Sequence, residues 1–227
     1  MRGQAPSGGR PAFTLLELLI VISVIALLVA ILLPSLSGAH KQAQRMTCTS
    51  KLRELGSLTW YFRQDHDDVM PRSMHSAFAH RARPWAYALF RYVAGREFEA
   101  EDGDWFKVLN SHYRCPFDRR TEGFSYGYNV YYELSEPETG GPIWRKGTRV
   151  PHPSTTVLFG ELIDTSISDH IMGHFWVQFD APPEVAMNRH EPNSAYVFLD
   201  GHAENLPFPQ TFDPGRGLDH WDPATAP

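Results

Sequence analysis

Glu17 is the one ionisable side chain in the stretch Phe13 to Leu33, FTLLELLIVISVIALLVAILL. A carboxylate inside hydrocarbon costs at least ~2.5–3.5 kcal/mol on insertion scales, so it marks a functional position and needs a partner. The helix itself is expected to offer none. A cut between Ala12 and Phe13 would create one, because the new α-amino group would lie a helical turn from a Glu17 carboxylate, its own or a neighbour's.

A second group of chemistry-bearing residues lies near the C-terminus. His190, Asp200 and His202 offer three N and O ligands, enough for a catalytic zinc with one open position. The alternative is structural: an Asp opening a turn bonds its own backbone and a nearby His satisfies its remaining oxygen. The structural reading is preferred, and no residue is assigned as catalytic or as a metal ligand. Asp65, Asp67 and Asp68 read as a solvated connection rather than a calcium loop. His170 and His174 have helical metal spacing but are interrupted by Gly173. Cys48 and Cys115 either pair in an oxidising compartment or pack as two small apolar thiols; spacing alone leaves both open.

These groups need elements to hold them. At about 1.5 Å per residue the apolar stretch makes a rod of roughly 30 Å, enough to cross a bilayer. The preceding MRGQAPSGGRPA is polar and carries Arg2 and Arg10 without an acid. Pro34 removes a backbone donor, so a kink, local melting or a split into two helices is expected there. Beyond it Cys48, Leu52, Leu55, Thr59 and Phe62 recur at spacings of four and three, a face suited to docking a globular head.

The head reads as α+β. Trp85 to Val93 has helical apolar spacing, whereas Tyr126 to Tyr132 and Thr155 to Phe159 are strand-like, and an antiparallel sheet is expected. Asp200-Gly201 is expected to form a two-residue hairpin turn. That register places Val197, Leu199, His202 and Glu204 on one face and Tyr196, Phe198, Ala203 and Asn205 on the other. After Pro207 the pattern loses periodicity and a mobile, Pro-rich tail over 208–227 is expected. Trp85, Trp105, Trp144, Trp176 and Trp221 suit core packing better than a sugar-binding surface.

Net charge is −5 and no basic cluster interleaves with aromatics, which argues against nucleic acid as a partner. There is no phosphate-cradling glycine loop, GxSxG or paired CxxC, so the common nucleotide, hydrolase and structural-zinc signals are absent. No enzyme activity and no cofactor are expected.

Phe13-Thr14-Leu15-Leu16-Glu17-Leu18-Leu19 resembles the prepilin-type N-terminal cleavage and methylation motif of type IV pilins and type II secretion pseudopilins. The resemblance implies a prepilin peptidase that cuts between Ala12 and Phe13 and methylates Phe13. It also implies Glu17 as the assembly residue, with other pilin or pseudopilin subunits as partners. One position departs from the family pattern, Ala12 standing where Gly is usual. Nine residues separate His190 from Asp200-Gly201, and this spacing, with Arg189, Tyr196, Phe198 and His202, resembles the C-terminal H-X9-DG domain of some prepilin-type proteins. Cys115-Pro116, Asp118, Ser125 to Asn129 and His152-Pro153-Ser154 are similar to further landmarks of that family. No biochemical role for that domain carries over.

The expected organisation is a cytoplasmic leader over 1–12, a long helix over 13–64 spanning the inner membrane at 13–33, an exported head over 65–207 and the tail. Lys and Arg flank the span on both sides, so the orientation, N-terminus in the cytoplasm and head in the periplasm, rests on the resemblance. The expected function is a structural subunit of a pilus-like or pseudopilus filament. Two alternatives from other classes are a membrane-anchored surface binding module and a metal-dependent enzyme built on His190, Asp200 and His202.

Overall fold

The computed structural model describes residues 14–176 and 184–227. Helix α1 runs over Leu15–Asp65 and contains Pro34 without interruption, which excludes local melting or two helices parted there. One missing backbone bond is a small loss within a helix that continues for many turns on either side. The chain divides into two compact units, Met1–Ala43 and Gln44–Pro227.

In the first unit every large apolar side chain from Leu15 to Leu33 is exposed, the least of them, Val29, at 44%. Such a surface is costly in water and matches hydrocarbon in length and composition. This is one helix long and apolar enough to cross a membrane.

The second unit is built on a five-stranded mixed sheet. Its strands are β1 (Tyr126–Asn129), β2 (Val157–Glu161), β3 (His170–Ile171), β4 (Ser194–Phe198) and β5 (Ala203–Leu206), in the order β3-β1-β2-β4-β5. The pairs β1–β2, β2–β4 and β4–β5 are antiparallel, but β3 joins β1 in parallel. The wholly antiparallel expectation is corrected at that edge. The chain between β1 and β3 passes through β2, which runs the opposite way, and so returns in the direction of β1 on its other side.

Both sheet faces are covered. On one, Cys48, Leu52, Leu55 and Leu58 of α1 pack with helices α2 (Trp85–Ala94) and α3 (Trp105–His112) against Tyr126, Tyr128, Phe159, Ala195 and Val197. The face anticipated on α1 is therefore buried, with Phe62 partly so. A short helix, α4 (Glu136–Thr139), opens with a capping box between Ser135 and Glu138. On the opposite face Val157, Ile171, Tyr196 and Phe198 meet Trp176, Phe208 and Trp221.

Three local expectations shift. β1 stops at Asn129, whose side-chain oxygen accepts from Tyr131 N and opens a 3₁₀ turn over Val130–Tyr132. β2 begins at Val157 because the Thr155 and Thr156 amides are committed to His152 O in a turn. The β4–β5 loop is one residue longer than a two-residue turn: Gly201 N donates to Phe198 O, Phe198 N donates to His202 O, and only Gly201 is left-handed, at φ 93°. This bulged turn pairs Val197 with Ala203 and Tyr196 with Glu204. A one-residue slip exchanges the faces of a strand, so Ala203 joins Val197 on the helix side and Glu204 leaves it.

The C-terminal segment is not a loose tail. Strands β6 (Phe212–Asp213) and β7 (Leu218–Asp219) pair, Trp221 is fully buried and Phe208 nearly so. A Cβ on Gly160 of β2 would sit 2.7 Å from Trp221 Cη2, so the indole fills the space that this glycine leaves open. Asn129 Nδ2 donates to Trp221 O at 2.8 Å, and Val157 N donates to His220 O at 2.7 Å. The segment lacks periodicity because isolated anchors, rather than one regular face, attach it.

Candidate functional site

The two units each hold one candidate region. In the first, Ala12 and Phe13 lie outside the described residues, and the structure begins beside them at Thr14. Thr14 Oγ1 donates to Glu17 Oε2 at 2.8 Å, Thr14 N donates to the same oxygen at 2.9 Å, and Glu17 N donates to Thr14 Oγ1 at 3.2 Å. This is a reciprocal capping box, with Thr14 as N-cap and Glu17 at the third helical position. The expectation that the helix itself gives Glu17 no partner is corrected: its own first turn supplies two donors. The T-x-x-E spacing that builds the box is a local signal present in the sequence.

In the second unit four buried side chains converge from four elements: Cys48 of α1, Cys115 after α3, Glu161 at the end of β2 and His190 before β4. Cys48 and Cys115 are joined as a disulfide, with their Cα atoms 5.0 Å apart. His190 Nε2 lies 3.1 Å from Glu161 Oε1 and 3.8 Å from Cys115 Sγ. A carboxylate only accepts, so Nε2 carries the proton in that pair. Glu161 Oε2 accepts from Ala195 N at 2.9 Å, and Arg189 Nε lies 3.7 Å from Oε1. The edge of the His190 ring meets Phe117 at a centroid distance of 4.8 Å.

The loop carrying Cys115 is tightly held. Cys115 N donates to Ser125 Oγ at 2.9 Å, and that hydroxyl donates to Asp118 Oδ2 at 2.6 Å. Burial alone would raise the Asp118 carboxyl; hydrogen bonds from Arg120 and Ser125 outweigh it and bring it down to about 2. Beside this loop a cleft of about 440 Å³, lined by Lys51, Arg114, Asp118 and Arg120, reaches Cys115.

His190 does not converge with Asp200 and His202. Strand β4 runs between them, and its five residues span about 17 Å at ~3.3 Å each. Asp200 Oδ1 instead accepts from His202 N at 3.0 Å and meets His202 Nδ1 at 2.6 Å, on a partly exposed turn. The turn leans on α1: a Cβ on Gly56 would lie 3.2 Å from Gly201 Cα and 2.9 Å from Val197 Cγ2. The His and the Asp-Gly pair thus sit at opposite ends of one strand that α1 supports.

The other candidates resolve structurally. Asp68 accepts from Arg63 Nε at 2.8 Å and Thr148 Oγ1 at 2.6 Å, and Asp65 accepts from Tyr92 OH at 2.9 Å. His170 lies in β3 and His174 in a 3₁₀ turn, so their spacing is not helical. Trp85, Trp144, Trp176 and Trp221 are buried, leaving Trp105 partly so. Glu161 escapes a reading of the sequence, since an acid at the end of an apolar strand carries no spacing signal that points to His190.

Residues 10–33 match the family model of the prokaryotic N-terminal methylation motif. The N-terminal segment is thus of the prepilin type, and the chain is pilin-like in joining that helix to an α+β head. No curated protein and no solved structure matches the chain.

Proposed function

We propose that the chain is a structural subunit of a type IV pilus-like or type II secretion pseudopilus filament. The observation that carries this reading is the methylation-type motif over 10–33, set on an apolar stretch whose one acid, Glu17, lies in the first turn of α1. Prepilin peptidase cuts between Ala12 and Phe13 on the cytoplasmic side and methylates Phe13. The 13–33 span then holds the subunit in the inner membrane, its head on the periplasmic side.

Assembly follows from the cost of the acid. Withdrawn from water, Glu17 gains from a full positive charge, and the Phe13 amine of a neighbouring subunit supplies one as the helices associate laterally. Each charge is tolerated because it finds the other. The Thr14 hydrogen bonds hold the carboxylate while it waits for that partner. The metal-enzyme alternative has no support from the separated positions of His190 and His202.

Intact mass of the membrane-extracted protein tests the proposal. A chain beginning at Phe13 and heavier by one methyl group is expected. Mature protein that still begins at Met1 or Arg2 would overturn the processing route.

A further inference from the structure

We propose that Cys48, Cys115, Glu161 and His190 form a second, thiol-dependent state: a closed zinc(II) site that replaces the disulfide when the cysteines are reduced. One ligand atom from each residue lies within 4.8 Å of all the others, and all four side chains are buried. In a tetrahedral site with Zn–S near 2.3 Å and Zn–N or Zn–O near 2.1 Å, ligand atoms stand about 3.3–3.8 Å apart. The His190 Nε2 separations of 3.1 Å from Glu161 Oε1 and 3.8 Å from Cys115 Sγ already fall close to that spacing.

The surroundings fit a cation of this charge. Two thiolates, one carboxylate and Zn²⁺ sum to −1, and the Arg189 guanidinium 3.7 Å from Glu161 offsets it. Ala195 N holds Glu161 Oε2, which leaves Oε1 turned to the cluster, the outer-shell role that orients a ligating carboxylate. The polar cleft ending at Cys115 is a route for reductant and metal. With all four coordination positions taken by protein, the site is structural: zinc would keep α1 fastened to the sheet when the covalent bond is gone.

The exchange balances. A dithiol delivers two electrons and two protons to the Cys48–Cys115 bond and leaves as its own disulfide. Zinc then displaces both thiol protons, which pass to water, while the His190 proton moves from Nε2 to Nδ1 so that the ring binds through Nε2 as a neutral ligand. The metal and the S–S bond cannot occupy the site together.

The test uses the full chain in detergent, either oxidised or reduced with a trialkylphosphine, which takes up water oxygen as it frees the two thiols. Each form is mixed with zinc chloride and desalted. The reduced chain is expected to retain one zinc and to melt at a higher temperature than without it; the oxidised chain retains none. Cobalt(II) in place of zinc should give the visible bands of a tetrahedral thiolate site, and His190→Ala should weaken retention at least tenfold. A reduced wild-type chain that keeps no zinc and shows no such cobalt spectrum overturns the proposal without reliance on any variant. Equal retention by His190→Ala overturns the assigned ligand set.

Discussion

His190 Nε2 and Glu161 Oε1 meet at 3.1 Å with both side chains fully shielded from solvent. Removing one partner of such a pair strands the other in a low dielectric. His190→Ala is therefore expected to cost about 3 kcal/mol. Glu161→Gln keeps the volume and one acceptor, so its loss should be nearer ~1 kcal/mol. Urea denaturation of the oxidised full chain, followed by tryptophan fluorescence, compares them; equal losses would show that the pair contributes no more than its packing.

Gly56 predicts a tight limit on side-chain size at the crossing of α1 and the β4–β5 turn. A Cβ there meets Val197 at 2.9 Å and, more stubbornly, the Gly201 backbone at 3.2 Å. Gly56→Ala should gain helix propensity yet lose about 1–3 kcal/mol through overpacking. A net gain in the denaturation midpoint would mean that the turn can retreat at little cost.

Whether a feature is legible in the sequence depends on whether its signal is periodic or pairwise. The membrane-length run, the α1 face at Cys48, Leu52 and Leu55, and α2 are readable because regular spacing repeats a single physical requirement. The place of the hairpin is readable too, but its register is not. Asp200-Gly201 fits two turn geometries, and only the backbone shows that Gly201 alone takes positive φ. The Glu161–His190 contact joins residues 29 apart in the chain and has no local pattern to betray it. Thr14 and Glu17 differ again, a local capping signal overshadowed by the charge that one of them carries.

Trp221 is where an aperiodic segment has most to lose. Its ring is fully buried and lies against Gly160, so Trp221→Ala should leave a cavity and cost about 3–5 kcal/mol. Limited proteolysis gives a sharper contrast: the wild-type C-terminus should resist cleavage and the variant should be clipped within 208–227. Rapid clipping of both proteins would restore the reading of this segment as a mobile tail.

Asp118 sets an acid limit on the loop that carries Cys115. Its carboxyl is held near about 2 when folded against an ordinary value of 3.8, so folding favours the ionised form. The resulting stability is complete above about pH 5 and is lost as pH falls through 4 toward 2, an amount on the order of 2 kcal/mol. Asp118→Asn should be less stable at pH 7 and should flatten that part of the pH profile. An unchanged acid slope in the variant would assign the pH dependence to other carboxylates.

Thr14 and Glu17 separate a structural role from an assembly role within one capping box. Glu17→Gln retains an oxygen that can accept from Thr14 but removes the negative charge, whereas Thr14→Ala keeps the charge and removes the hydroxyl that both accepts from and donates to Glu17. Loss of the cap should cost about 1 kcal/mol of local helix stability. If Glu17 acts by meeting a neighbour's amine, Glu17→Gln should insert normally yet disappear from sheared filaments, while Thr14→Ala should assemble at a modestly reduced level. Quantitative immunoblots of the membrane and filament fractions measure both. Glu17→Gln assembling as well as wild type, with Thr14→Ala failing, would reverse the assignment and leave the carboxylate as a helix cap.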